Sequence, residues 1–90
     1  MPGLRVTQEK ILEALLFVSG ESVPVAALAD AIGCDIPTTR NLLLHMEEIY
    51  AAEQAGLQLL ELDDAFQLCT NPLYYEYIRK LSCKRPNEKP

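Results

Sequence analysis

His45 is the chain's single histidine, which makes it the first residue to examine for metal binding or acid–base chemistry. Glu48 is the one possible ligand at helical spacing beside it, whereas tetrahedral zinc needs several protein ligands. The cysteines Cys34, Cys69 and Cys83 stand 35 and 14 residues apart, with no Cys-x-x-Cys. An odd number at this spacing is typical of neither a zinc site nor a disulfide framework. We therefore predict a solvated histidine, reduced and partly buried thiols, and no metal.

Two acidic pairs, Glu47-Glu48 and Asp63-Asp64, are the remaining candidates for catalytic chemistry. The glutamates most simply form the solvated face of a helix. The aspartates fall in a predicted turn, where no nucleophile or base accompanies them in a catalytic constellation. The four glycines are scattered and form no phosphate-binding loop. The sequence thus predicts no catalytic residue, no cofactor and no enzyme.

The length and composition indicate one small globular domain. Ninety residues, 49% hydrophobic and 23% charged, suffice for a single modest core. No apolar run approaches the roughly 18 residues of a membrane span, and the first residues do not form a signal peptide. We therefore expect an intracellular protein that does not insert into a membrane.

Charge is distributed unevenly between the body of the chain and its end. Residues 79–90 contain five lysines or arginines against one glutamate, a net charge of +4. Residues 1–78 contain three cationic residues against twelve acidic ones, a net charge of −9. An acidic body repels phosphate, so only the basic tail is suited to nucleic acid.

Capping residues and glycines predict three helices in the first half. Thr7 is a good N-cap for a helix over 8–19, which Gly20 ends. A short extended link then leads into an alanine-rich helix over 25–32, ended by Gly33. Asp35 caps a third helix that runs to about residue 52. The short connection between the second and third helices is that of a helix-turn-helix.

The second half predicts a hairpin and a final helix. Residues 57–62 and 66–70 have strand patterns, and 63–65 form the turn between them. The last helix begins at Asn71-Pro72 and continues to residue 81. We therefore divide the chain into a lead (1–6), a folded domain (7–81) and a basic linker or frayed tail (82–90).

This order of elements predicts a mainly α (α+β) protein: a winged helix-turn-helix with a three-helix core, a β-hairpin wing and a C-terminal helix. Winged helices often bind DNA through the third helix and the wing. Here that surface carries Arg40 against Glu47 and Glu48, and the wing tip is Asp63-Asp64. Each missing cationic contact removes a counterion-release contribution, so the residues argue against direct duplex binding.

The first helix has more apolar surface than one core requires. Ile11, Ala14, Leu15 and Val18 share a face by helical spacing, which we predict to be the core face. The surplus consists of Leu12, Leu16 and Phe17, which we expect to pair across a dimer two-fold. The alternative is that the wing and last helix bury all three. Tyr75, and more weakly Leu44, are further interface candidates because each falls outside the predicted core stripes.

Several segments resemble the segregation and condensation protein B family. They are Ile11 to Glu21 in the first helix, Gly56 to Leu59 in the wing, Phe66 to Pro72 in the returning strand, and Tyr77 to Leu81 with Lys84-Arg85-Pro86 at the end. The resemblance covers about residues 8–86, and the combined order and spacing carry it rather than any single motif. The wing tip differs, because Asp63-Asp64-Ala65 stands where the family often has glycines.

The resemblance implies an accessory role in the bacterial SMC–kleisin complex, which condenses and partitions chromosomes during the cell cycle. It implies a homodimer that embraces the kleisin subunit, segregation and condensation protein A, and reaches SMC through it. It also implies a cytoplasmic, nucleoid-associated location, with this chain as the first of two winged-helix domains. The alternative from the residues is a DNA-binding regulator fragment that uses its basic tail.

Overall fold

The structure is a computed structural model that describes residues 7–83 of the chain. The winged helix-turn-helix fold is confirmed: three helices and a small antiparallel sheet are followed by a C-terminal helix. The elements are α1 (Gln8–Ser19), β1 (Val23–Pro24), α2 (Val25–Ile32), α3 (Ile36–Glu53), β2 (Leu57–Leu62), β3 (Ala65–Thr70), a 3-10 turn (Pro72–Tyr74) and α4 (Tyr75–Cys83). The predicted lead, and most of the predicted basic tail, lie outside the described residues.

The helix ends follow the predicted capping chemistry. The Thr7 side chain accepts a hydrogen bond from the Lys10 amide at 3.2 Å, and Asp35 accepts one from the Thr38 amide at 3.1 Å. Gly20 and Gly33 end α1 and α2 with φ of 70° and 74°, in the left-handed region that glycine adopts without a Cβ clash. These local interactions explain why the boundaries of the first two helices match the sequence prediction.

The sheet contains three strands in the order β1-β3-β2, all antiparallel. Its hairpin register runs from Leu57 opposite Thr70 to Leu62 opposite Ala65, so the turn is Asp63-Asp64 alone and Ala65 is already strand. Asp63 has a φ of 57°, a conformation that aspartate tolerates better than most residues. The segment predicted only as an extended link is β1, which pairs with β3. The Val25 amide continues this pairing by donating to the Asp64 carbonyl at 2.7 Å.

The core lies between the three helices and the inner face of the wing. Its buried members are Leu12, Leu16, Val25, Leu28, Leu43, Met46, Leu59 and Phe66. Burying a side chain of this size contributes roughly 1.5–3 kcal/mol relative to leaving it exposed. The first three helices and the wing each supply members of this cluster, which therefore holds these four parts of the fold together, whereas α4 supplies none.

The core face of α1 differs from the sequence prediction. Leu12 and Leu16 have no exposed surface, so they are core residues and not interface residues. Ala14 and Val18, predicted to face the core, are exposed, Val18 by 82%. The predicted pairing of Leu12 and Leu16 across a dimer two-fold is therefore wrong, whereas Phe17 is 72% exposed.

Candidate interaction surfaces

Two polar contacts join α1 to α3. The Oε2 atom of Glu9 lies 2.6 Å from Nδ1 of His45, and the hydroxyl of Tyr50 donates to Glu13 at 2.5 Å. Glu9 and Glu13 are four residues apart and share a face of α1 with the buried leucines. The two acids therefore lie at the edge of the core face rather than opposite it.

Each contact raises the pKa of the α3 side chain that takes part in it, His45 or Tyr50. The hydrogen bond to Glu9, and then its negative charge, raise the pKa of His45 above the ordinary value. Burial raises the pKa of Tyr50, and the hydrogen bond to Glu13 adds to this effect. The sequence predicted a solvated histidine; the ring is 59% exposed but is ion-paired when protonated. Pairing partners 36 and 37 residues apart gave no signal in the sequence.

An apolar groove separates the outer side of α1 from the wing. It has a volume of about 260 Å³ and is lined by Lys10, Glu13, Ala14, Phe17, Leu57 and Leu68. Leu57 and Leu68 project from the inner side of the sheet at its open end, because they alternate in step with the buried Leu59 and Phe66. We call this feature the α1–wing groove. It brings the exposed Phe17 next to residues that the sequence assigned only to the hairpin.

The C-terminal helix presents an exposed apolar face. Tyr77, Ile78 and Leu81 share one side of α4 by helical spacing and are 66%, 39% and 67% exposed. We call these three residues the α4 apolar face. Lys80 places its ammonium 5.6 Å from the centre of the Tyr77 ring. Among the described elements, α4 packs chiefly against the 3-10 turn that precedes it.

The base of α4 is fixed to the corner between α3 and β2. The buried Asn71 donates from Nδ2 to the Ala55 carbonyl at 2.8 Å and accepts from the Leu73 amide at 3.0 Å. The hydroxyl of Tyr74 donates to the Gln54 carbonyl at 2.6 Å. These contacts set the direction in which α4 leaves the body.

On the surface that binds DNA in many winged helices, the one cationic side chain of α3 is paired with acidic residues of the wing. Arg40, the single lysine or arginine of α3, contacts Glu61 at 2.8 Å and Asp64 at 2.9 Å. Both acids belong to the wing or its turn. The one guanidinium on the third helix is thus already paired with carboxylates and unsuited to a phosphate contact.

The side chains that could bind a metal do not form a site in the described part of the chain. Over residues 7–83, no group of three or more His, Cys, Asp or Glu side chains is placed to hold a metal ion. In the same range no helix has the length and apolar character to cross a bilayer. The Sγ of Cys34 accepts a hydrogen bond from Gln8 at 2.7 Å, a contact between α1 and the helix-turn-helix connection.

Comparison with known proteins assigns the family. The family model for the segregation and condensation complex subunit ScpB matches residues 10–89. The chain belongs to the ScpB family. It is 38% identical over 74 residues to segregation and condensation protein B of Lachnoclostridium phytofermentans, covering 82% of this chain and 39% of that protein. The protein of the same name from Agathobacter rectalis is 38% identical over 79 residues, covering 87% and 42%. The chain thus spans about two-fifths of the length of these relatives.

Two solved ScpB structures share the fold. A dimer of an ScpB N-terminal domain complexed with an ScpA peptide superposes with a TM-score of 0.76 at 27% identity, covering 81% of this chain and 91% of that one. ScpB from Mycobacterium tuberculosis superposes with a TM-score of 0.84 at 22% identity, covering 97% and 56%. The second likeness supports the fold alone.

The two remaining predicted interface residues, Tyr75 and Leu44, differ in how far they are exposed to solvent. Tyr75 is 51% exposed at the start of α4. Leu44 is half-buried and packs against the core, so its predicted position outside the core stripe is wrong. Nothing in the sequence indicated that Leu57 and Leu68 contribute to the groove or that Ile49 of α3 is exposed.

Proposed function

We propose that this chain is a non-catalytic interaction module of a bacterial chromosome segregation and condensation complex, and that it homodimerises through its winged-helix domain. The observation that carries the proposal is the likeness to an ScpB N-terminal domain, which extends over 91% of that domain. That relative is a dimer bound to an ScpA peptide. By this likeness, the partners of the present chain are a second copy and the kleisin subunit, through which it reaches SMC in the cytoplasm at the nucleoid.

The surface chemistry supports a protein partner. Phe17 and Val18 place adjacent apolar side chains in solvent at the end of α1, and Tyr75 adds an aromatic ring on α4. Tyrosine and phenylalanine are enriched at protein interfaces, and clustered apolar surface on a small domain is typical of a docking site. We retain Phe17 and Tyr75 as interface residues. Leu44 is a lesser candidate because the core already covers part of it.

The electrostatics support the same choice over a DNA-binding regulator. Within residues 7–74, two cationic side chains stand against eleven acidic ones, and one of those two, Arg40, is held by the wing. Duplex binding depends on cations placed at phosphates, which this body does not supply. Binding to DNA by the basic tail is the competing function.

Sedimentation equilibrium of the 90-residue chain tests the proposal. We expect a concentration-dependent dimer, weakened about tenfold or more by Phe17→Glu, which puts a charge into the apolar contact. Ile36→Glu is the matched control, because it makes the same change at an exposed position at the start of α3. A chain that stays monomeric at high concentration, or that loses pairing equally in both variants, contradicts the proposed dimer.

Two binding measurements separate the partner classes. Isothermal titration with a peptide from the kleisin subunit should give saturable binding to the dimer. A gel shift of duplex DNA at low salt should show no retention, and retention that disappears when residues 79–90 are removed would favour the tail-mediated alternative. Retention that survives this removal would mean that the acidic body itself binds DNA, which would overturn the proposal.

A further inference from the structure

We propose that the segment preceding the first helix folds back as a strap over a groove between α1 and α3. In this arrangement Leu4 lies on the apolar floor of the groove and Arg5 pairs with its acidic rim. Residues 1–6 lie outside the described part of the chain, whereas the groove and its open end lie within it. The strap is a contact within one copy, so it does not depend on the proposed dimer.

The groove has an apolar floor supplied by α3. Its volume is about 290 Å³, and Met46, Ile49 and Tyr50 line it from that helix. Met46 is almost fully buried, whereas Ile49 is 37% exposed. We call this feature the α1–α3 groove. An apolar side chain laid over its floor removes from water a surface that the described residues leave exposed, which the hydrophobic effect favours.

The rim of the α1–α3 groove is acidic along α1. Glu9 and Glu13 line it one helical turn apart, with Lys10 beside them. Their hydrogen bonds to α3 use the Oε2 atom of each carboxylate. The Oε1 atoms can therefore accept from a guanidinium, whose several N–H groups suit carboxylates. Arg5 is the one charged residue among residues 1–6, and its sign is the one that this rim attracts.

The position of Thr7 brings the segment to the open end of the groove. Thr7 itself lines the groove, and its backbone is extended, with φ of −103° and ψ of 156°. An apolar residue immediately before an N-cap often packs back against the first turns of the helix, and Val6 is such a residue. The chain thus enters the groove where the described residues begin.

The length of the segment matches the length of the groove. The α1 wall runs over residues 7–13, a rise of about 9 Å along the helix. Residues 4–6 span about 10 Å when extended. Leu4 and Val6 then fall on one side of the segment, because side chains alternate along an extended chain. Both can face the apolar floor, while the long side chain of Arg5 reaches the rim.

Direct attachment favours the chain's own segment over any other occupant. A segment joined to the rim by the chain itself is present at an effective concentration in the mM range. It also avoids the loss of translational freedom that the association of two molecules costs. A partner peptide or a second copy has to displace it. The strap therefore closes the α1–α3 face to partners that make no stronger contact there.

Methyl NMR of the 90-residue chain tests the strap. Nuclear Overhauser effects should connect the methyl groups of Leu4 to those of Met46 and Ile49. Removal of residues 1–5 should shift the Met46 and Ile49 methyl resonances, because the floor of the groove then returns to solvent. The methyl resonances of Leu62, exposed on the wing, should stay unchanged. Circular dichroism should give the truncated chain the helical content of the parent, since the Thr7 cap is retained.

A single substitution tests the apolar contact without shortening the chain. Leu4→Ser should reproduce the Met46 and Ile49 methyl shifts of the truncated chain. Leu81→Ser is the matched control, because it makes the same change at a 67% exposed position of α4. It should leave both sets of resonances where they are in the parent.

A second substitution tests the ionic contact through the titration of His45. The ring faces Glu9 from α1 and Glu48 on its own helix. A guanidinium beside Glu9 opposes a second positive charge at that carboxylate. Arg5→Gln should therefore raise the His45 midpoint. Arg79→Gln removes the same charge from α4 and should leave the midpoint unchanged.

The possible outcomes identify the occupant of the groove. Absent Leu4 contacts, together with Met46 and Ile49 resonances that are the same with and without residues 1–5, overturn the strap. Resonances that move with protein concentration in both chains mean that a second copy fills the groove, which also overturns it. A kleisin peptide that shifts them equally in both chains assigns the groove to a partner, with the same consequence. A monomeric parent contradicts the proposed dimer and leaves this test unaffected.

Discussion

The Nδ1 atom of His45 lies 2.6 Å from a carboxylate oxygen of Glu9, which joins the third helix to the first across 36 residues of chain. The contact from Tyr50 to Glu13 lies one turn further along α1, and both contacts fit the rotation of the first helix that buries its leucines. That rotation places Leu12 and Leu16 inside and Phe17 outside. The exposure of Phe17 therefore follows from the rotation of α1 that buries Leu12 and Leu16.

The pair of His45 and Glu9 predicts a pH dependence of stability. Because the folded-state pKa of His45 is raised, the folded protein binds its proton more tightly than the unfolded chain does. The stabilisation is fully present below the unfolded pKa of about 6.5 and is lost as the pH rises through the higher folded value. Denaturant unfolding at several pH values should show this loss, and NMR titration of the ring should give a midpoint above 6.5.

Glu9→Gln is the control for this dependence. It keeps a polar side chain at the same position but removes the negative charge. The His45 midpoint should move down, and the corresponding part of the pH dependence should disappear. An unchanged His45 midpoint in the variant would mean that Glu9 does not cause the shift.

The core face of α1 predicts a large loss of stability at one position and almost none two residues away. Leu16→Ala should lower the free energy of unfolding by about 2–5 kcal/mol, because it leaves a cavity among fully buried side chains. Val18→Ala, at an 82% exposed position, should change it by less than about 0.5 kcal/mol. Urea unfolding at one fixed protein concentration measures both. Similar losses in the two variants would place α1 in a different rotation.

The buried Asn71 predicts a stability loss at the base of α4. Asn71→Ala removes the donor to the Ala55 carbonyl and the acceptor for the Leu73 amide, so we expect a loss of about 1–3 kcal/mol. Asn71→Asp keeps the acceptor and removes the donor, which isolates the contact with Ala55. Thermal unfolding and amide hydrogen exchange at residues 73–78 report the two effects. Unchanged exchange in both variants would show that Asn71 does not anchor the helix.

The ion pairs of Arg40 predict a small, salt-sensitive effect. Arg40→Gln should lower the free energy of unfolding by less than about 1 kcal/mol at low salt, and by less again at high salt, because these carboxylates are partly or fully in solvent. Duplex DNA retention should be unchanged, since the guanidinium is held by the wing. Arg79→Gln on the exposed α4 provides the matched substitution. A gain or loss of DNA binding specific to Arg40→Gln would contradict this account.

The caps show which parts of the fold the sequence could predict. Thr7, Gly20, Gly33 and Asp35 act within a turn of their own positions, so the ends that they define could be read without tertiary information. The alternation in the hairpin is equally local. The two-residue β1 was missed as a strand because its pairing with β3 depends on residues more than 40 positions away.

The exposed apolar surface of α1 was predictable in kind but only partly in its residues. The apolar excess on α1 was visible, yet the apolar stripe was too wide for spacing alone to fix the core face. Phe17 was identified correctly as surplus, whereas Leu12 and Leu16 were not. Helical spacing could not show that Glu9 and Glu13 bond to α3 from the edge of the core, because their partners lie 36 and 37 residues away.

The sequence by itself determined the order of the helices and the hairpin, the winged-helix architecture, the acidic body and the family resemblance. Capping, periodicity and net charge are properties of neighbouring residues or simple sums. Only the tertiary structure decided which side of α1 is buried, that the wing holds Arg40, and that Tyr77, Ile78 and Leu81 of α4 are exposed. These features depend on contacts between residues that are distant in the chain. Their energies follow from three-dimensional proximity, which local patterns do not encode.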